Sequence, residues 1–143
     1  MAKKGLVVFA SVLIMLLAIG GCVTTLRNYQ PRSPEEGEIR ALLLRWESTF
    51  NSHDVPGNLA TWNEKAQIMY GGERRIASKK EYSQILPNRM KAVPSLEVGP
   101  PSIKVSGDKA EVTTTLSIRG TRGPFTFYLI RENNLWSIMS WKY

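Results

Sequence analysis

The run IKVSGDKAEVTTTLSI, residues 103–118, decides the fold class. Gly107-Asp108 is a two-residue turn signal between stretches of period-two character. Beyond it Ala110, Val112, Thr114, Leu116 and Ile118 alternate with Glu111, Thr113, Thr115 and Ser117, which predicts an antiparallel strand with one apolar and one wet face. Outward from there, Arg119 to Pro124 reads as a basic, glycine-containing connection and Phe125 to Arg131 as the next strand. Asn133-Asn134 then turns the chain into Leu135 to Tyr143. On the other side, Leu96–Val98 and Ile103–Val105 are strand pieces separated by Gly99-Pro100-Pro101, a break suited to a sheet edge. In the last two strands both alternating sets are apolar: Phe125, Phe127 and Leu129 against Tyr128 and Ile130, then Trp136 and Ile138 against Leu135, Met139 and Trp141. That pattern predicts a sheet covered on both faces, with a second copy of the chain the simplest cover for the outer one.

The preceding sequence is helical. Ser33-Pro34-Glu35-Glu36 combines an N-cap, a proline at the first helical position and a capping-box glutamate. Ile39, Leu42, Leu43, Trp46 and Phe50 then recur at three- and four-residue steps on one face, with Arg40, Arg45 and Glu47 expected on other sides. Asn51 to Asp54 closes this helix, and Asp54-Val55-Pro56 starts a short second one. Ala66 to Tyr70 reads as a strand stopped by Gly71-Gly72. A second capping box, Ser78 to Glu81, opens a third helix marked by Tyr82, Ile85, Leu86 and Met90, which Pro87 is expected to bend or fray. Helices first and a meandering sheet last define an α+β domain over 33–143, its helices on one face of the sheet.

Residues 1–21 read as an address. Lys3 and Lys4 precede an apolar run from Gly5 to Ile19 and the small pair Gly20-Gly21. Ile19-Gly20-Gly21-Cys22 resembles the bacterial lipobox, which implies a signal peptide over 1–21, lipidation of Cys22 and a membrane partner for the mature chain. An uncleaved anchor over Leu6 to Cys22 and ordinary signal-peptide cleavage are the alternatives. Each places the domain outside the cytoplasm, and lipidation places it in the cell envelope, facing the periplasm or exterior. Val23 follows the cysteine where an inner-membrane retention signal would have Asp, so the analogy favours the outer membrane in a diderm source. Residues 22–32, without helical or strand periodicity, read as a tether. Loss of Lys3 and Lys4 leaves the mature chain modestly basic, 19 Lys and Arg less those two against 12 Asp and Glu. This diffuse charge suits anionic headgroups or acidic partners and gives no nucleic-acid signature.

The order of signals along 33–143 resembles the nuclear transport factor 2-like superfamily. The pieces that carry the likeness are the first helix ending in Phe50 to Asp54, the Leu59 to Trp62 segment, the Ala66 strand, Ser78 to Tyr82, Ser106 to Ala110 and Glu132 to Trp136. The resemblance implies a curved antiparallel sheet wrapped around N-terminal helices, a cystatin-like cone with a pocket at one end. Superfamily members include ketosteroid isomerase and many noncatalytic binding domains, so fold alone leaves function open.

Similarity to ketosteroid isomerase places its oxyanion tyrosine at Trp46 and its general-base aspartate near Tyr70. Neither group is present, and a tyrosine with a pKa near about 10 is a poor base at neutral pH. His53 beside Asp54 invites a base-and-carboxylate reading, but sequence neighbours seldom face each other, and a helix-end histidine followed by an N-cap aspartate explains the pair. With one histidine and a lipidated cysteine, no metal and no cofactor is expected. The expectation is therefore a noncatalytic domain binding a small apolar ligand or an envelope protein. A small-molecule enzyme, isomerase or hydrolase, using the same pocket and a structural dimerisation module through the sheet are the alternatives. Trp46, Trp62, Tyr70, Tyr82, Phe127 and Trp136 are the candidate pocket aromatics, each of which core packing would equally explain. Arg74 and Arg75, with Lys79 and Lys80, form the densest basic cluster and the candidate anion contact, or else a solvated loop.

Overall fold

The structure, a computed structural model, describes residues 25–72 and 74–143; the leader and Cys22 lie outside them. Helix α1 spans Pro34–Asn51 and begins where the sequence marks it, the Ser33 hydroxyl accepting from the Glu36 N–H. Asp54 caps α2, Val55–Leu59, by accepting from Gly57 N at 3.0 Å. Strands β1 (Gln67–Tyr70) and β2 (Arg75–Ser78) form a separate antiparallel hairpin. Helix α3, Lys79–Ala92, starts from the complete Ser78/Glu81 capping box and continues through Pro87, with Leu86 and Met90 buried on either side of the proline. The main sheet holds β3 (Leu96–Val98), β4 (Ser102–Ser106), β5 (Lys109–Ile118), β6 (Thr121–Glu132) and β7 (Leu135–Lys142), in the order β3-β5-β6-β7.

Strands β3 and β4 pair with opposite ends of β5, so they form one edge strand interrupted at Gly99-Pro100-Pro101. Gly99 N donates to the Thr115 carbonyl at 2.8 Å, and Thr114 Oγ1 donates to the Gly99 carbonyl at 2.9 Å, which holds the break against β5. All three hairpins of the main sheet turn at two residues, including Asn133-Asn134, both at positive φ.

Four expectations need correction. Strand β2 was not foreseen: Arg75 and Ile76 are exposed, and pairing with β1 rather than its own pattern makes the segment extended. The connection assigned to 119–124 shrinks to Arg119-Gly120, both at positive φ, so β6 begins at Thr121. A bulge in the β6–β7 pairing sets Tyr128 opposite Ser140 but Leu129 opposite Ile138, leaving Met139 as the extra residue. The phase slips there, and Trp136, Ile138 and Trp141 are all buried despite their unequal spacing. Part of the apparent second apolar face of β7 is thus this slip, while Leu135 stays 72% exposed. Finally, the 22–32 tether is docked from Thr25 onward. A short 3-10 turn, Leu26–Asn28, puts Leu26 at 0% exposure, and Arg40 on α1 donates to the Leu26 and Arg27 carbonyls at 3.2 and 2.5 Å.

Candidate functional site

An apolar cavity of about 540 Å³ opens at one end of the sheet. Buried Trp46, Phe50, Leu96, Phe125 and Trp141 form its floor, and Leu116 and Ile118 of β5 and Val93 after α3 form its walls. Exposed Gly71, Gly72, Thr121 and Tyr143 stand at the mouth. Gly71 and Gly72 both take positive φ in the β1–β2 turn, a backbone that L side chains rarely adopt, so no side chain obstructs the mouth there. Tyr143 stacks on Phe125 with ring centroids 6.1 Å apart, and its hydroxyl accepts from Gly72 N at 3.1 Å, which ties this turn to the end of β7.

Trp141 is the hub beneath the cavity. Its ring meets Trp62 at 4.8 Å, Phe125 at 5.5 Å, Trp46 at 5.8 Å and Tyr82 at 6.0 Å, and its Nε1 donates to the Met69 carbonyl of β1 at 2.7 Å. The bulge at Met139 turns Trp141 inward, so the same irregularity that bends the sheet supplies the floor. Arg89, in the last turn of α3, lines the wall with its guanidinium carbon 5.9 Å from the Trp141 ring centroid. It is the one charged side chain among the described residues that line the cavity.

Of the six candidate aromatics, Trp46 lines this cavity. Trp62, Tyr82 and Phe127 lie in the solid core, Tyr70 is half-buried at the end of β1, and Trp136 packs under Arg131 at 5.2 Å, none of them among the lining residues. Burial pushes the Tyr82 phenol up to about 12, and its hydroxyl has no hydrogen-bond partner, so it serves as a packed ring. Arg74 and Arg75 are exposed and outside the cavity lining. His53 is exposed at positive φ, and Asp54 is engaged by Gly57 N, so the two do not form a dyad. Among the described residues no cluster of His, Cys, Asp and Glu could hold a metal ion.

A second hollow, of about 570 Å³, is polar and is bordered by Arg27, Glu47, Asn51, Glu97 and Arg119. Asn51, Glu47 and Arg27 are engaged in internal bonding, and Arg119 donates to the Ala92 carbonyl at 2.7 Å. Asn51 exchanges two 2.8 Å hydrogen bonds with the Leu96 backbone, and Glu47 accepts from Val98 N at 2.8 Å with Arg27 3.7 Å away. Glu47, expected on an outer side of α1, is therefore buried and binds edge strand β3; desolvation raises its pKa, against the pull of Val98 N and Arg27. These contacts dock α1 on the sheet. The apolar cavity, whose surface is not consumed by internal bonding, is the candidate site.

Sequence reasoning missed Arg89 and Trp141. Arg89 had a signal: it stands seven residues after Tyr82 and so on the same helical face, a cation inside an apolar stripe. Trp141 had none, because the bulge that turns it inward arises from strand pairing.

No protein-family model matches the sequence, and no curated protein matches it. Solved structures match its fold. A Nostoc punctiforme protein described as having a cystatin-like fold superposes with a TM-score of 0.63 at 19% identity, over 76% of this chain and 90% of that one. A nuclear transport factor 2-like protein from Pseudomonas putida gives 0.59 at 18%, over 75% and 83%. A candidate ketosteroid isomerase from Shewanella frigidimarina gives 0.62 at 17%, over 72% and 93%. The chain has the cystatin-like, nuclear transport factor 2-like fold, a curved antiparallel sheet around N-terminal helices. At these identities the likeness extends to architecture alone.

Proposed function

We propose that this chain is a noncatalytic, lipid-anchored domain of the cell envelope that binds a small apolar ligand in the Trp46–Trp141 cavity. The observation that carries the reading is the cavity surface itself. It is large enough for a small organic molecule, walled by aromatic and aliphatic side chains, and offers no carboxylate or imidazole side chain among the described residues. Acid–base catalysis needs a titratable group within hydrogen-bond reach of the substrate, and the lining supplies only an arginine and a tyrosine. The anchor rests on the resemblance of residues 19–22 to a lipobox. Docking of Leu26 adds a consequence: residues 22–24 alone would separate lipid from fold, a reach of at most about 10 Å, which would hold the domain against the bilayer.

Two experiments test the reading. Native mass spectrometry of the purified protein, followed by organic extraction, should show a retained small molecule whose removal alters tryptophan fluorescence. A protein that binds no apolar molecule under any condition refutes the ligand. Palmitate labelling should disappear in Cys22→Ser; label that persists there refutes the anchor.

A further inference from the structure

Arg89 is costly to place where it lies. Its Nε is buried and has no hydrogen-bond partner, and no hydrogen bond or ion pair joins its guanidinium to any described residue. Buried donors in native structures are nearly always satisfied, and charged ones most of all. The Trp141 ring face attracts the cation without accepting a directed bond from Nε. Position in the last turn of α3 favours any cation there, but exposed Lys91 meets that need from solvent. Neither contact gives a hydrogen-bond partner to the guanidinium's accessible N–H groups on this apolar wall.

Resting on the ligand-cavity reading above, we propose that the ligand is an amphipathic anion: an apolar body carrying one carboxylate, sulfonate or similar group, which Arg89 receives. The Arg89 Nε is closed off, but neither Nη is buried without access or bonded to a described residue, and the two Nη groups form a fork matched to two oxygens of such a group. Trp46, Phe125 and Leu116 hold the apolar body by contact and exclusion of water. A single cation balances a single negative charge, so a polyphosphate would leave charges unpaired in this apolar surround. Gly123 of β6 has the same alternation as inward-facing Phe125, and a Cβ placed there meets nothing within 4 Å. A side chain at 123 is therefore a means of filling the cavity while Arg89 itself is kept.

The test uses two fluorescent probes with one ring skeleton, 1-anilinonaphthalene-8-sulfonate and uncharged N-phenyl-1-naphthylamine. Both should bind the intact protein. Arg89→Gln should weaken the sulfonate about tenfold or more, the scale of a charge-assisted hydrogen bond, and leave the neutral probe within about twofold. Gly123→Leu should weaken both, which assigns them to this cavity. If Arg89→Gln leaves the sulfonate unaffected while Gly123→Leu weakens both probes, the cavity takes neutral ligands: this inference fails and the cavity reading stands. If neither probe binds, or Gly123→Leu weakens neither, the cavity reading fails and takes the inference with it. A competition needs no variant: decanoate should displace the neutral probe from the unaltered protein at lower concentration than decanol, and the reverse order overturns the proposal.

Discussion

Leu26→Ala tests where the folded domain begins. Leu26 is fully buried within the core, although it lies in a stretch whose composition suits a solvated spacer. Truncation to alanine removes three carbon groups at about 0.8 kcal/mol each, a loss of about 2.4 kcal/mol before any cavity cost. Leucine-to-alanine changes in closed cores reach about 5 kcal/mol. Here the loss is capped by the free energy of releasing the segment, since it can detach while α1 and the sheet stay folded. Its other ties are the Tyr29 hydroxyl to Glu36 at 2.5 Å, the Arg32 N–H to Glu36 at 2.8 Å and the Arg40 bonds to the Leu26 and Arg27 carbonyls. A loss of about 2–3 kcal/mol follows, which for a domain of this size lowers Tm by about 8–12 °C. Equilibrium urea unfolding followed by tryptophan fluorescence measures it. Arg40→Ala should couple to Leu26→Ala in a double-mutant cycle, because both changes release the same segment. A Leu26→Ala effect within about 0.5 kcal/mol of zero would return residues 25–32 to the status of a free tether.

Trp141→Phe removes the bond to the Met69 carbonyl and part of the ring cluster, so urea unfolding should show a loss of about 2–4 kcal/mol; a loss under about 1 would deny Trp141 its role as hub. Glu36 and Glu47 should respond oppositely to pH. Hydrogen bonds from Tyr29 and Arg32 hold the Glu36 pKa below the ordinary carboxylate value, so its stabilisation is present above that value and fades as pH falls through the lowered one. Glu36→Gln should therefore destabilise at pH 7 and converge with the parent in acid. Burial raises the Glu47 pKa, so the folded state binds its proton more tightly and its contribution falls as pH rises from the unfolded value through the raised one. Glu47→Gln, which keeps an acceptor for Val98 N, should be neutral or stabilising at pH 8 in thermal melts, with the difference shrinking toward pH 4. A clear destabilisation there would mean that the Arg27 pairing outweighs desolvation.

The sequence by itself determined the features that a few adjacent residues can encode. Ser33 and Ser78 mark helix starts because an N-cap hydroxyl meets a backbone N–H three residues on, whatever surrounds it. Gly107-Asp108 and Asn133-Asn134 mark hairpins because those residues tolerate the backbone that a two-residue turn needs. The order of these signals led to the α+β class and the curved-sheet fold. The candidate site was legible only in part, since Trp46 was named and Arg89 and Trp141 were not. Tertiary structure alone decided that Met139 bulges and delivers Trp141 inward, that Leu26 docks, that Glu47 meets β3, and that an unfilled space remains beside Arg89. The physical reason is common to all four: each depends on strand register or on volume left between elements distant in the chain, and neither is a property of local spacing.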